Sequence, residues 1–395
     1  MKRPYAAPAV LAGIAILLVG IWIGGHPRLL PGFTRDLFAG DDDSRVVAEA
    51  IDRVNDDYYR KIPADKLADA SIDGLVASLD DRFSHYLDPA AYKSFRESSD
   101  SAYEGIGILV SPDKRGLKVI TVYARSPARG VGIEPGDIIT GVNGRSLAGK
   151  TTDQGSRSIK GPPGTAVTLR VLHDGRSRSV RVARARVKVP VVTSKLQTSG
   201  GDKIGVVALA AFTSGAHAEV RAALARLQKR GARGFVLDLR HNGGGLVSEA
   251  QLVASAFLRG GTIVTTRGRS VPTRTLSAVG DPVVPTAPLA VLVDHDTASA
   301  SEIVAGALQD RRRATVVGTQ TFGKGVFQTV IELSNGGALD ITTGQYFTPS
   351  GRNLGGRGVS TGSGIKPSVT ARDDAKTERD EALPVALRTV RAKLP

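Results

Sequence analysis

The spacing of apolar residues changes twice along the chain, and these changes predict an α+β multidomain fold. Residues 45–97 repeat apolar side chains at helical intervals, which predicts two or three helices. Residues 103–187 alternate in short runs separated by turn signals such as Asn143-Gly144, which predicts a mostly β domain. From Lys203 onward, apolar strands alternate with helical segments, as expected of an α/β sheet covered by helices.

An uncharged apolar stretch lies close to the N-terminus. Residues 4–25 carry no charged side chain, and about 20 apolar residues can cross a hydrocarbon core of about 30 Å. Because Lys2 and Arg3 precede the stretch, the chain after His26 is predicted to lie outside the cytoplasm. A cleaved secretory signal is the alternative, but the stretch is longer than a usual signal and lacks its cleavage site. We therefore expect a single-pass anchor in the cell membrane.

Composition excludes several classes of chemistry. The 395 residues contain no cysteine, so disulfides, Cys-bound zinc, iron–sulfur clusters and thiol nucleophiles are ruled out. Six histidines without paired ligand spacing favour no metal site, and no cofactor is predicted. Lys and Arg exceed Asp and Glu by 53 − 38 = 15, but they are scattered and lack interleaved aromatic residues. A negatively charged cell envelope is therefore a simpler partner than nucleic acid.

A candidate nucleophile follows an apolar strand. Residues 289–293 lead into the small-residue start of a helix, so Ser299 is predicted near a helix N-terminus, where free N–H groups favour negative charge. The Ala300 N–H is therefore a candidate oxyanion donor. The glycine run 243–245 also follows a strand and can bring a second backbone N–H close, for which we favour Gly244.

A candidate base lies downstream. Lys324 and Gln328 are four residues apart in a segment that alternates like a strand, so both side chains can point to one face. The Gln328 carboxamide oxygen could then accept a hydrogen bond from the lysine. A lysine is almost fully protonated at neutral pH, so Lys324 can act as a base only if burial lowers its pKa. The flanking Phe322 and Val326 could provide that burial, and Lys324 would then take the proton of Ser299.

Together these segments resemble the carboxyl-terminal processing peptidases, the tail-specific serine peptidases of type S41. The matching segments follow the family's order along the chain and are 238–245, 297–303 and 321–328. The resemblance implies that Ser299 is the nucleophile, that Lys324 is the general base and that Gln328 orients the lysine, within a crotonase-like α/β core. Gly243 stands where the family usually has a proline.

The β segment resembles a PDZ domain of the peptidase-associated kind. The matching segments are 103–109, 126–139, 143–144 and 159–165. A PDZ domain binds the carboxylate at the end of a peptide on successive backbone N–H groups, while the peptide adds a strand to the sheet. We place this carboxylate at Gly105, Ile106, Gly107 and Ile108. A plain glycine turn is the alternative.

Two strings imitate other catalytic motifs. Residues 318–324 match a phosphate-binding loop, but Gly325 replaces the magnesium-binding Ser or Thr and a strand follows. Residues 358–362 match a nucleophile elbow, but no apolar strand precedes them and no helix follows. Residues 318–324 are therefore not predicted to bind a nucleotide, and residues 358–362 are not predicted to hold a catalytic serine.

Two residues near the candidate nucleophile offer rival assignments. His295 stands next to Asp296 and four residues before Ser299, which makes a Ser–His–Asp site the main rival to Lys324. Ser301 is the rival nucleophile, although we expect it to be a neighbouring, helix-capping hydroxyl.

The sequence therefore predicts a membrane-anchored extracytoplasmic serine endopeptidase that cleaves C-terminal regions of envelope proteins. The expected divisions are a stub and anchor at 1–26, helices at 44–100, a PDZ domain at 103–187, a peptidase core at 188–370 and a helical tail at 371–395. Expected partners are substrate tails, an activating adaptor and further copies in a homo-oligomer. Two other classes stay open: a catalytically silent PDZ scaffold, and a protein that binds small molecules or lipids on the same fold.

Overall fold

The chain divides into two compact units, Met1–Asp80 and Asp81–Pro395. The computed structural model describes residues 42–100, 102–356, 362–374, 377 and 379–395. In the first unit, the described residues form helices α1 (Asp42–Asp57) and α2 (Ala64–Ala77). The predicted anchor at 1–26 lies outside the described residues, and none of the described helices combines the length and apolarity needed to cross a bilayer.

The second unit opens with a short segment that leads to the β domain. It contains β1 (His85–Leu87), α3 (Pro89–Ser99) and β2 (Ala102–Gly105). Helix α3 begins where it does because the Asp88 carboxylate accepts the N–H groups of Ala90 and Ala91, while Pro89 has no N–H to satisfy.

The β domain is an antiparallel sheet with two short helices. Its elements are β3 (Ile108–Asp113), β4 (Gly116–Val122), α4 (Pro127–Gly130), β5 (Ile138–Val142), β6 (Arg145–Ser146), α5 (Thr152–Ile159), β7 (Ala166–His173) and β8 (Arg176–Ala183). The strand order is β3-β4-β5-β7-β8, and β6 pairs with β5. Along β7, alternate residues Val167, Leu169 and Val171 are buried, so this strand turns one face to the domain core.

Two strands connect the β domain to the rest of the unit. After β8 the chain continues as β9 (Ala185–Lys188), which pairs antiparallel with β2. The pairing runs from Gly105 opposite Ala185 to Ala102 opposite Lys188. The strand that enters the domain and the strand that leaves it therefore lie side by side.

The remaining residues form two sheets with covering helices. The elements are β10 (Val192–Ser199), β11 (Asp202–Leu209), α6 (Ala216–Lys229), β12 (Gly234–Asp238), α7 (Val247–Ser255), β13 (Thr262–Gly268), β14 (Arg274–Ser277), β15 (Leu289–Val293), α8 (Ala300–Asp310), β16 (Thr315–Gly318), β17 (Val326–Glu332), β18 (Ala338–Phe347), β19 (Val369–Thr370) and α9 (Ala382–Arg391). One sheet has the order β10-β11-β12-β15-β16-β19 and is parallel from β11 onward. The other has the order β1-β18-β13-β14, with β17 on β18.

The mostly parallel sheet buries both of its faces. Leu237 and Val291 join the cluster that contains residues of α6, α7 and α8, whereas Val236 and Leu292 join the cluster with α9. Successive residues of a strand point to opposite faces, which explains the continuous apolar runs in these strands. The C-terminal segment that was predicted as a tail thus packs its helix against the sheet.

Candidate active site

The loops at the carboxyl ends of β12, β15 and β16 meet at one edge of the parallel sheet. This edge is the usual ligand-binding edge of an α/β sheet. Ser299 stands there directly before α8, with a backbone φ of 57° and ψ of −117°. A residue with a side chain rarely adopts this conformation, and such strain costs on the order of 1–3 kcal/mol. The strain is typical of a residue that is held in place for function.

A buried carboxylate, Glu302, ties the Ser299 segment to the Lys324 segment. Glu302 Oε2 accepts the backbone N–H groups of Ser299 and Lys324, both at 2.9 Å. Its Oε1 accepts the Thr321 hydroxyl at 2.5 Å and the Gly323 N–H at 2.8 Å. Burial raises the pKa of Glu302, and the four donors oppose that effect. One side chain therefore fixes the spacing between the two segments.

Glu302 was not predicted as a site residue, although the sequence contains a signal for it. Ser299 and Glu302 have the Ser-x-x-Glu spacing of a capping box, in which the acidic side chain reaches back to the first N–H of the helix. That rule accounts for the bond to Ser299. The three bonds to residues 321–324 depend on contact between distant parts of the chain, which local spacing does not reveal.

Lys324 contacts the side chain that was predicted to orient it. Its Nζ donates to Gln328 Oε1 at 2.7 Å, and Gln328 Nε2 donates to Thr342 Oγ1 at 3.0 Å. Burial lowers the pKa of Lys324, while the carboxylates of Asp340, Asp81 and Glu302 oppose this shift. The direction of the net shift is the one that a general base requires.

Within the described residues, Lys324 and Ser299 do not form a hydrogen bond with each other. The Lys324 Nζ instead lies 4.8 Å from the ring centre of Phe83, an attractive geometry for an ammonium group and an aromatic face. Phe83 precedes β1, more than 200 residues before the lysine in the chain, and no local spacing predicts this contact. The lysine is therefore held on the Gln328 side of the site.

The two predicted oxyanion donors differ in their surroundings. Ala300 is fully buried, and none of the described groups accepts its N–H. Gly244 has a φ of +103°, and a Cβ on it would lie 2.8 Å from the Ser299 Cβ and 2.9 Å from the Ala300 N, so this glycine is beside the candidate nucleophile. Its N–H, however, donates to Asn242 Oδ1 at 2.9 Å. The Ala300 N–H is thus open to an oxyanion, whereas the Gly244 N–H is already bonded.

The rival side chains have other partners. The His295 side chain is 79% exposed and its Nε2 lies 3.2 Å from Asp296 Oδ1; it makes no hydrogen bond to Ser299 within the described part of the chain. Ser301 Oγ donates to the Asn242 carbonyl at 2.9 Å and is fully buried. Of the string 358–362, residues 358–361 lie outside the described ranges.

One cluster near the sheet edge has ligand types suited to a metal. The candidate ligand atoms of His241, Asp294 and Asp296 lie within 4.8 Å of one another. His241 Nδ1 is 3.0 Å from Asp294 Oδ2 and 3.1 Å from Asp296 Oδ2, and hydrogen bonding to Asp296 contributes most to the raised pKa of His241. The three groups thus form an ion-pair cluster in which His241 and Asp296 are exposed and Asp294 is largely buried.

In the β domain, the predicted carboxylate loop borders a groove of about 380 Å³. The groove lies between β3 and α5 and is lined by Ile106, Ile108, Tyr123 and Ile159, among others. Gly107 has a φ of +83°, and a Cβ there would approach the Ser126 Cβ to 2.2 Å, so the loop requires glycine. The Ile108 N–H donates to the Tyr103 hydroxyl at 2.9 Å, and that hydroxyl donates to the Ile108 carbonyl at 3.1 Å. One of the predicted carboxylate donors is therefore taken by a side chain.

Comparison with known proteins identifies the family. The model of peptidase family S41 matches residues 203–369, and the PDZ domain model matches residues 105–183. The chain is 38% identical over 321 residues to the carboxy-terminal-processing protease of Bartonella bacilliformis, which covers 79% of this chain and 72% of the relative. It is 32% identical over 355 residues to a probable CtpA-like serine protease of Staphylococcus haemolyticus, which covers 89% and 70%.

A solved structure shows the same likeness. The photosystem II D1 C-terminal processing protease aligns with a TM-score of 0.50 and 29% identity, over 88% of this chain and 97% of that protein. The chain therefore belongs to the carboxy-terminal-processing serine peptidases of family S41 and carries a PDZ domain. The predicted resemblance is confirmed, and of the predicted α+β multidomain fold the comparisons confirm a PDZ domain joined to a mixed α/β S41 peptidase core.

Proposed function

We propose that this peptidase cleaves the C-terminal regions of envelope proteins through an acyl-enzyme formed on Ser299. Lys324 is the general base and Gln328 orients it. The observation that carries the assignment is the Glu302 carboxylate, which bonds the backbone N–H of Ser299 and that of Lys324 at the same distance of 2.9 Å. The nucleophile and the base are thus held on two segments that meet at one buried anchor, while Ser299 keeps a strained backbone.

The reaction follows from these groups. Neutral Lys324 takes the proton of the Ser299 hydroxyl as its Oγ bonds to the substrate carbonyl carbon, and the carbonyl electron pair moves to the oxygen. The Ala300 N–H stabilises that oxyanion, and the Gly244 N–H can join it if its bond to Asn242 opens. Collapse breaks the C–N bond, and the lysine gives its proton to the leaving amine. Water, activated by Lys324, then hydrolyses the ester.

The observed position of Lys324 corresponds to a resting arrangement in this scheme. Its Nζ is bonded to Gln328 and faces Phe83, so it must turn toward Ser299 before it can accept a proton. Catalytic hydrogen bonds often tighten only when a substrate is bound. Because the Lys324 side chain must rotate before catalysis, an activating adaptor or an activating substrate tail is supported.

The remaining parts of the proposal concern location and assembly. The anchor at 1–26 holds the enzyme in the cell membrane with the peptidase outside the cytoplasm, as the positive charge before the apolar stretch favours. The PDZ domain at 103–187 binds substrate C-termini in its groove and presents them to a crotonase-like core at 188–370. The helices at 44–100 and the C-terminal segment at 371–395 contribute contacts in a homo-oligomer.

The test uses the full chain in detergent with an unfolded protein as substrate. Wild type should cleave it, Ser299→Ala and Lys324→Ala should not, and Ser301→Ala should retain cleavage because Ser301 bonds only a backbone carbonyl. Cleavage should rise with pH as Lys324 loses its proton. Cleavage by Ser299→Ala would refute the assignment. If every form, wild type included, is silent but binds a peptide C-terminus, the protein either needs an activating adaptor or is a scaffold.

A further inference from the structure

A buried hydroxyl close to the nucleophile has no partner. Tyr346, on β18, is 1% exposed, and none of the described groups forms a hydrogen bond with its hydroxyl. A buried polar group without a partner costs free energy, so native structures rarely keep one without a reason. The reaction proposed above does not use this residue.

The neighbours of Tyr346 belong to the site. Its backbone N–H donates to the carbonyl of Gly325, the residue after Lys324, at 3.1 Å, and its own carbonyl accepts from Asn353 Nδ2 at 3.0 Å. Its side chain belongs to the same apolar cluster as Ala300, the first residue of α8. Tyr346 is thus bonded through its backbone to the residue after Lys324 and packs in the apolar core that also contains the start of α8.

The influences on the pKa of the Tyr346 phenol also indicate that it lies near Ser299. Burial raises the pKa of Tyr346 well above its ordinary value, the Glu302 charge adds to this effect, and the Ser299 side chain opposes it. The hydroxyl therefore lies within reach of the Ser299 side chain without forming a hydrogen bond to it in the resting arrangement. It therefore stays neutral near neutral pH, where it can donate a hydrogen bond but does not act as a base.

We infer that Tyr346 is a catalytic hydrogen-bond donor to the Ser299 Oγ, an inference that rests on the proposed role of Ser299. As the Ser299 proton passes to Lys324, partial negative charge builds on the Oγ before the completed Oγ–carbon bond moves it to the carbonyl oxygen. The Tyr346 hydroxyl keeps its proton and donates a hydrogen bond to the Oγ. Because the bond is absent at rest and is made as charge develops, it lowers the barrier rather than strengthening substrate binding.

The test is Tyr346→Phe in the full chain, with cleavage of an unfolded protein, labelling by a fluorophosphonate probe and thermal unfolding measured side by side. Loss of a hydrogen bond to a charged group should lower kcat and the labelling rate about tenfold to a hundredfold, with KM unchanged. The unfolding midpoint should stay the same or rise, because a hydroxyl without a partner leaves the core. The shape of the pH profile should not change.

A matched control removes the same kind of group elsewhere. The Thr213 hydroxyl is also buried and unpartnered among the described residues, so Thr213→Val should keep stability without any loss of kcat. Wild-type kcat in Tyr346→Phe would overturn the inference, and so would a loss of activity matched by a loss of stability. If Ser299→Ala still cleaves, the proposed function itself fails; if it is inactive while Tyr346→Phe is fully active, only the present inference fails.

Discussion

Replacing Glu302 by glutamine tests whether one carboxylate sets the geometry of the site. The carboxylate accepts four hydrogen bonds, and it is fully buried. A glutamine can keep its oxygen on the N–H groups of Ser299 and Lys324, but its amide nitrogen then faces the Gly323 N–H, donor against donor. The Thr321 hydroxyl can turn to accept from the amide. One of the four bonds is therefore lost outright.

The expected cost follows from these contacts. A hydrogen bond to a charged group contributes about 1.5–3 kcal/mol and one between neutral groups about 0.5–1.5 kcal/mol. The substitution therefore removes one bond of the stronger kind and weakens the other three. The neutral amide avoids the cost of burying a charge, which offsets part of the loss. We expect Glu302→Gln to lower the free energy of unfolding by about 2–4 kcal/mol. We also expect kcat per folded molecule to fall at least tenfold, because the base segment moves away from Ser299.

The assay combines urea unfolding with cleavage kinetics, and Glu249→Gln is the matched control. Glu249 is another buried carboxylate, which accepts the Gly215 N–H at 2.8 Å and two donors of His217 at 2.9 Å. The Glu249→Gln variant should lose a comparable amount of stability but keep the wild-type kcat per folded molecule. If the two variants lose kcat equally, or if Glu302→Gln keeps wild-type kcat, the reasoning is refuted.

Three further changes have expected outcomes. Gly244→Ala should cost about 2–4 kcal/mol of stability and abolish cleavage, because a side chain at a φ of +103° would press against Ser299, the proposed nucleophile. Lys324→Met should abolish cleavage. It should also remove the part of the pH dependence of folding stability that comes from Lys324. Because burial lowers the pKa of Lys324, the unfolded chain binds more protons between that pKa and 10.5, so wild-type stability rises with pH in this window relative to the variant. Tyr103→Phe should tighten binding of a peptide C-terminus by up to about tenfold, measured by fluorescence anisotropy, because it frees the Ile108 N–H.

Each change has a control or a contrary result. Gly243→Ala should be tolerated, since a Cβ there meets no atom within 4 Å; equal damage at both glycines would contradict the steric argument. Parallel stability curves for wild type and Lys324→Met would show that the lysine is not penalised by burial. Tyr123→Phe alters the same groove but frees no backbone donor, so an equal gain in affinity there would disprove a specific effect of Tyr103.

The order and type of elements could be predicted because their signals are local. The strand 289–293 is continuously apolar since both faces of its sheet are covered, and the small residues after it mark the start of a helix. Lys324 and Gln328 lie within one short segment, so their contact follows from strand geometry alone. These features needed no knowledge of distant contacts.

The rest of the site depends on contacts that sequence spacing does not encode. Phe83 reaches Lys324 only because β1 pairs with β18, and Tyr346 approaches Ser299 only because β18 carries it past the base segment. The Gly244 N–H was predicted as a free donor, but the Asn242 side chain two residues earlier accepts it. The C-terminal helix could not be assigned to the core from its charged sequence, because its apolar face matches the sheet only after folding.

Because β2 pairs with β9, the PDZ domain is an insertion between the two strands of an antiparallel β-ribbon. Gly105 and Ala185 are direct partners in that ribbon, so a two-residue turn could join them in place of residues 106–184. The β2–β9 ribbon would then be an ordinary β-hairpin, and the strands of the peptidase would keep their order and register. The PDZ domain, to which we assign tail recognition, is thus separable from the peptidase strands at this ribbon, and domains of other specificities could be exchanged there without redesign of the peptidase core.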